Sequence, residues 1–281
     1  MKYINKYETE AEVQAAINNG ELLKPYVAYI TSSDTIDWNS KDKIDYSKMY
    51  LTIEALENGN ISVRYDTFQY SLNGGNWTQF IKNVNVALVK GDKIRIKNND
   101  EGSYYPFTTN FRFNIYGNIM SAVKGDNFLT NKQVSNYYFL EYLKGHKVVD
   151  ASNLILPSNT YMRLYEDMFE RCTNLTTAPE LPATTLAQGC YRGMFNGCTS
   201  LTTAPTLLAT TLAASCYGGM FNGCSSLNYI KCLATNISAS QCTIGWVSGV
   251  SSTGVFVKDA SMSNWTTGTS GIPNGWTVNE E

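Results

Sequence analysis

Apolar and polar residues follow two different rhythms along this chain. Over residues 25–116, short apolar or alternating runs are separated by turn-forming residues. PYVAYIT (25–31), LTIEAL (51–56), NISVRY (60–65), FQYSL (68–72), VNVALV (84–89), KIRIKN (93–98) and NFRFNIYG (110–117) have strand character. Glu57-Asn58-Gly59-Asn60, Asn73-Gly74-Gly75-Asn76 and Lys90-Gly91-Asp92 punctuate them. Short antiparallel strands at this spacing predict a small β-sandwich of the immunoglobulin type. Ahead of them, Thr9 and Glu12 form a capping box leading into EAEVQAAIN, and Asn19-Gly20 stops that short helix. Val13, Ala16 and Ile17 give the helix an apolar stripe, which packs either on its own domain or on a partner. They are the candidate anchor.

The second rhythm is a 26-residue repeat. Residues 165–190, 191–216 and 217–242 read YEDMFERCTNLTTAPELPATTLAQGC, YRGMFNGCTSLTTAPTLLATTLAASC and YGGMFNGCSSLNYIKCLATNISASQC. Repeats of this length mean an array in which each unit buries its apolar face against its neighbours. Equivalent positions form columns. Met168, Met194 and Met220 are followed by Phe169, Phe195 and Phe221; Leu175, Leu201 and Leu227 align; Cys172, Cys198 and Cys224 form one cysteine column and Cys190, Cys216 and Cys242 a second. These residue types are mostly buried, so the columns are the expected core. Varying positions such as Glu166, Arg192 and Gly218 are expected outside. A fainter copy, residues 139–164, keeps Leu143, Val149, Ile155 and Leu164 in register and has His146 at the cysteine position. It is the expected N-terminal cap, and residues 243–281, with GVFVK (254–258) and a GIPNGW turn (271–276), the C-terminal one. Within a coil, LTTAP suits a short strand that Pro179 and Pro205 punctuate.

The segment CYRGMFNGCTSLTTAPTLLATTLA (190–213) resembles the BspA-like leucine-rich-repeat family of gut Bacteroidetes and the phages that infect them. SSTGVFVKDASMSNWTTGTSGIPNGW (251–276) is similar to the closing segment of that group, and GNIMSAVKGDNF (117–128) to the segment before its first coil. The resemblance covers roughly residues 117–281; Leu208 departs from it by standing where the family has proline. It implies a leucine-rich-repeat solenoid and a role in surface recognition, and it transfers no catalytic residue. YSLNGGNWTQF (70–80) resembles a motif common in immunoglobulin-like modules, and LKPYVAYITSSDTIDWN (23–39) looks like the start of virion proteins of gut Bacteroidetes phages, the crAss-like type. The expected division is a helical anchor segment (1–24), a β-sandwich (25–116), a solenoid with its N-terminal cap (117–242) and a C-terminal cap (243–281), in a mainly β chain.

The formal net charge is −2, which gives no reason to expect nucleic-acid or anionic-membrane binding. Residues 1–150 carry 17 basic and 17 acidic side chains and the remainder 5 and 7, so the repeats are solubilised by Ser, Thr, Asn and Gly. Stacked coils favour that, because like charges at strand spacing repel. Lys2 and Lys6 are not followed by an apolar stretch, so an export signal is not expected; a missing leader is the alternative. No run of about 20 apolar residues predicts a membrane span.

All seven cysteines lie within 172–242, and three per column cannot pair completely, so buried thiols are favoured over disulfides. No C-x2-C pair suggests zinc. Asp34, Asp37 and Asp42 do not match a calcium loop. His146, the single histidine, has no nucleophile at a recognisable spacing, and Glu166, Asp167 and Glu170 are expected on a solvated coil exterior. No catalytic residue, metal or cofactor is therefore assigned. Tyr104, Tyr105 and Trp77 are the candidate ligand contacts, because tyrosine and tryptophan give rigid amphipathic contact area.

These features predict a non-enzymatic structural and recognition protein of a phage virion: a head fibre, head decoration or tail-associated fibre. Its N-terminal part would meet other virion proteins of capsid or tail, its repeats would touch bacterial surface glycans or mucus, and by analogy with fibres it would be a homotrimer. The alternatives are a bacterial cell-surface adhesin of the BspA-like group and, third, a glycan-processing enzyme.

Overall fold

The strands that alternation marks out form around the most apolar runs. The structure, a computed structural model, describes residues 46–98, 107–131 and 133–281. The helix with Val13, Ala16 and Ile17, the strand at 25–31, Asp34, Asp37, Asp42, Tyr104 and Tyr105 lie outside the described residues. The chain is mainly β, with 27% strand against 4% helix. Residues 46–281 form a single compact unit.

Eight strands come first: β1 (Leu51–Ala55), β2 (Gly59–Val63), β3 (Phe68–Leu72), β4 (Thr78–Gln79), β5 (Val86–Leu88), β6 (Lys93–Asn98), β7 (Phe107–Thr109) and β8 (Phe113–Asn118). A short helix, α1 (Ser121–Lys124), precedes β9 (Val148–Asp150) and β10 (Leu154–Ile155). One sheet runs β10-β8-β1-β6-β3-β4 with β9 also on β8; a second runs β5-β2-β7. Pairing is antiparallel except where β9 and β10 join β8 in parallel. β8 thus ties the N-terminal sheet to the segment leading into the repeats. Leu51, Ile53, Ile94 and Ile96 from one sheet and Ile61, Val63 and Phe107 from the other belong to one buried cluster. Ser121 locks α1 to it: its fully buried Oγ accepts from the Leu51 N–H (2.7 Å) and donates to the Ile96 carbonyl (3.1 Å).

From residue 137 onward the backbone is built from turns that stack. Every second N–H crosses to the next coil, 25 residues further: Arg163 to the Gln188 carbonyl, Tyr165 to Cys190, Asp167 to Arg192, Phe169 to Met194 and Arg171 to Asn196, at 2.7–3.0 Å. The intervening N–H groups close turns three residues back, as Glu166 does to Arg163 and Met168 to Tyr165. The same ladder joins 137–145 to 162–170, 189–197 to 214–222, and 215–223 to 240–248. All backbone donors on this face are thereby paired within the stack, as a buried backbone requires. The residues that send their N–H to the next coil at every fourth position have left-handed backbone: Arg163, Asp167 and Arg171, then Gly189, Gly193 and Gly197, then Ser215, Gly219 and Gly223. Glycine occupies five of these nine positions because a Cβ is unfavourable there.

The core follows the columns. Phe169, Phe195 and Phe221 stack at 5.6 and 5.8 Å between ring centres. Phe139, Tyr165, Tyr191 and Tyr217 form a second ladder at 5.4–6.3 Å. Trp246 ends both, 6.2 Å from Tyr217 and from Phe221, and donates its indole N–H to the Gly271 carbonyl (2.8 Å). Trp265 stacks on its far face at 5.6 Å, closing the last coil against solvent. Beside the coils, β11 (Tyr229–Cys232), β12 (Val255–Lys258) and β13 (Thr277–Glu280) form a parallel three-stranded sheet.

The expected LTTAP strands are not continuous. Thr177 makes one bridge to Asp150 and Thr203 one to Tyr229; Pro179 and Pro205 interrupt the ladder because they carry no N–H, and after Pro205 pairing resumes where Leu207 bridges Cys232. The stretch from ATTLA to the next Met-Phe pair, which by sequence suits an irregular or helical return, is a run of turns.

Candidate functional site

The turn ladder projects three residue positions of each coil onto one face. Coil by coil these are Glu166, Arg192, Gly218 and Ile244; Asp167, Gly193, Gly219 and Gly245; and Glu170, Asn196, Asn222 and Ser248. A groove of ≈ 490 Å³ lies on this face. Its floor is bare backbone at Gly219, whereas Gly193 lies under the Asp167 carboxylate and Gly218 against Ile244. The side-chain amides of Asn196 and Asn222 have no hydrogen-bond partner among the described residues.

One end of the groove is charged, and the 26-residue register explains its wiring. Glu166 and Arg192 are equivalent positions of adjacent coils and pair at 3.2 Å, while Arg163, three residues before Glu166, grips it through both Nε and Nη2. Lys144 and Glu170 are likewise equivalent and pair at 2.6 Å, with Lys144 also holding Glu141 at 2.5 Å. The sequence expectation of a solvated face is corrected here: Glu166 is 3% and Glu170 8% exposed. Cations from two coils neutralise each carboxylate, which makes burial tolerable.

Asp167 lacks such a partner. It stacks over its equivalent, Glu141, and with Glu170 these carboxylates approach within 4.8 Å of one another. Partial burial, then the charges of Glu170 and Glu166, push its pKa up to about 6, with Lys144 opposing. Two acids of the trio are already bound by Lys144, so the arrangement is a charge network with one strained member. Its carboxylate lies over Gly193, where a Cβ would overlap Oδ1.

The remaining sequence candidates fall elsewhere. Trp77 is half-buried, with Lys97 Nζ 4.4 Å from its ring centre, Arg95 at 5.5 Å and Tyr50 against its edge at 4.8 Å. Lys97 also donates to Asp126 (2.8 Å), whose pKa it lowers, and Asp126 accepts from Tyr50 Oη (2.6 Å). Burial and that bond raise the Tyr50 pKa to about 12. Trp77 therefore anchors a side-chain network of its own sheet. Phe169, Phe195, Phe221, Leu175, Leu201, Leu227 and both cysteine columns are buried. All seven thiols are free. Cys172, Cys198 and Cys224 each donate to a carbonyl of the preceding coil, from Leu143, Phe169 and Phe195, at 3.0–3.1 Å. Burial raises the Cys172 and Cys224 pKa to about 12, so these thiols are poor nucleophiles. His146 accepts or donates at Thr109 Oγ1 (2.8 Å) and packs between Phe107 and Phe113. Burial, then the Arg64 charge, lower its pKa to about 4.

Among the described residues no helix is long and apolar enough to cross a membrane. Comparison with protein-family models, curated proteins and solved structures gives no match to this chain.

Proposed function

We propose that this chain is a non-enzymatic structural and recognition protein of a phage particle, a head fibre, head decoration or tail-associated fibre. The observation that carries the reading is the stack of 26-residue coils. Its aromatic, methionine and cysteine columns form a core, its thiols are held inert, and its open face carries charged and amide side chains around a groove. That arrangement supports a BspA-like leucine-rich-repeat solenoid with caps at both ends, and the two sheets sharing one core support an immunoglobulin-like sandwich before it. The repeats contact bacterial surface glycans or mucus. The N-terminal part, with Val13, Ala16 and Ile17, meets capsid or tail proteins, and the protein assembles as a homotrimer.

Incubation with polysaccharides extracted from candidate host cells tests recognition against catalysis. The expected result is retention of the protein by immobilised polysaccharide with no change in polymer length. Release of new reducing ends would establish a glycan-processing enzyme instead, and absence of any retention would remove glycan recognition.

A further inference from the structure

We propose that the groove lined by Asn196, Gly219 and Asn222 binds a neutral, extended glycan chain lying along the stacking direction, with Asn196 and Asn222 bonding successive sugars. This rests on the reading of the chain as a glycan-contacting protein and assigns that contact to one face.

Three observations converge on the groove. Its volume of ≈ 490 Å³ falls within the range of small-ligand sites, roughly 300–1,000 Å³. Its floor is bare backbone at Gly219, where an added Cβ would meet nothing within 4 Å. A ligand can therefore approach the main chain closely. Its walls offer amides whose donors and acceptors are unused within the protein, and Asn196 is half-buried, so its desolvation is already partly complete.

The register then selects the ligand class. Asn196 and Asn222 occupy one position in adjacent coils, which the backbone ladder holds about 4.8 Å apart, the spacing of bonded strands. The two identical amides therefore repeat with the coil. A linear polymer that advances by a similar distance per unit meets successive amides with successive units, and an extended glycan places one sugar at each coil. An extended peptide, which advances about 3.3 Å per residue, drifts out of step. A carboxamide presents a donor pair and an acceptor, matching vicinal hydroxyls that both give and accept hydrogen bonds. At the charged end Arg163, Arg192 and Lys144 are already paired with Glu166, Glu141 and Glu170, so an anionic polymer finds no unpaired cation there. At the other end exposed Ile244 offers an apolar contact for a sugar face.

The test is titration calorimetry of the full chain and of Asn196→Ala, Asn222→Ala and the double variant. The probes are linear neutral hexasaccharides of β-linked glucose, mannose, galactose, xylose and N-acetylglucosamine. Alanine suits the backbone at both positions, since neither has a positive φ, and melting curves verify folding. Thr202→Ala, exposed and outside the groove, is the control. The expected result is binding of at least one probe, weakened about tenfold in the double variant and unchanged in the control, as the loss of two modest hydrogen bonds requires. Binding unchanged in a folded double variant overturns the groove assignment while leaving glycan recognition standing. Absence of binding to every probe overturns this inference; retention on host polysaccharide in the same preparation separates that outcome from failure of glycan recognition itself.

Discussion

Replacing Asp167 by asparagine should stabilise the protein at neutral pH and leave it nearly unchanged near pH 4. The folded-state pKa is about 6, above the ordinary 3.8. The native chain therefore holds this proton more tightly than the unfolded chain does. The resulting stabilisation is complete below about pH 4 and is lost as pH rises through about 6. Above that, the ionised carboxylate sits half-buried among Glu141, Glu166 and Glu170 with Lys144 as its only cationic relief. The separation between 3.8 and about 6 corresponds to about 3 kcal/mol, at ~1.4 kcal/mol per tenfold change in proton affinity. Solvent screening of a half-exposed group lowers this to about 1–1.5 kcal/mol. Asparagine keeps the size and tolerates the left-handed backbone at φ 53°, so the charge alone changes. In a chain of this size that gain is a rise in Tm of about 2–5 °C. Urea denaturation of both proteins at about pH 4 and pH 7.5 measures it. Equal stability at pH 7.5, or a loss there, would refute the electrostatic account of this face.

Other consequences follow from the same geometry. Gly193→Ala places a Cβ at φ 59° and against Asp167 Oδ1; a loss of about 1–2 kcal/mol in urea denaturation is expected, and no loss would mean the left-handed ladder is wrong. Phe195→Ala opens a gap between Phe169 and Phe221 and should cost about 3–5 kcal/mol; a cost below about 1 kcal/mol would argue that the rings do not stack inside. A thiol reagent should find all seven cysteines after denaturation and react slowly with the native protein; rapid native labelling would contradict their burial. The His146 imidazole should titrate by NMR near 4. Because its folded pKa is depressed, it favours the native state above about 6.5 and that contribution is lost on acidification through 4; a midpoint near 6.5 would place the ring in solvent.

Alternation located β1, β2, β3, β5, β6 and β8 closely, because these strands bury one face and carry turn residues between them. β4 and β7 escaped because Thr78–Gln79 and Phe107–Thr109 hold a single apolar side chain between them, so no alternation marks them. The 26-residue register was fully legible, and with it the core columns. What the register also contained, unread, was the charge wiring: Glu166 lies 26 positions before Arg192, and Lys144 26 before Glu170. Treating varying positions as exterior missed this, since ion pairs between coils require the residues at one position to differ. The glycine column at 189, 193 and 197, repeated at 219 and 223, likewise signalled the left-handed ladder. Four-residue spacing of left-handed residues belongs to neither helix nor strand periodicity, so pattern reading assigned that stretch an irregular or helical return. The buried tyrosine ladder was hidden for another reason: tyrosine is ambiguous between surface and core, and only stacking on Tyr191 and Tyr217 decides it.

The central claim, that this is a structural protein of a virus particle that meets bacterial surfaces, is tested most directly by quantitative mass spectrometry of fractionated lysate from the natural source. The account predicts enrichment in purified particles at many copies each. Enrichment in host outer membranes, with particles devoid of it, would contradict the claim and identify a bacterial surface adhesin.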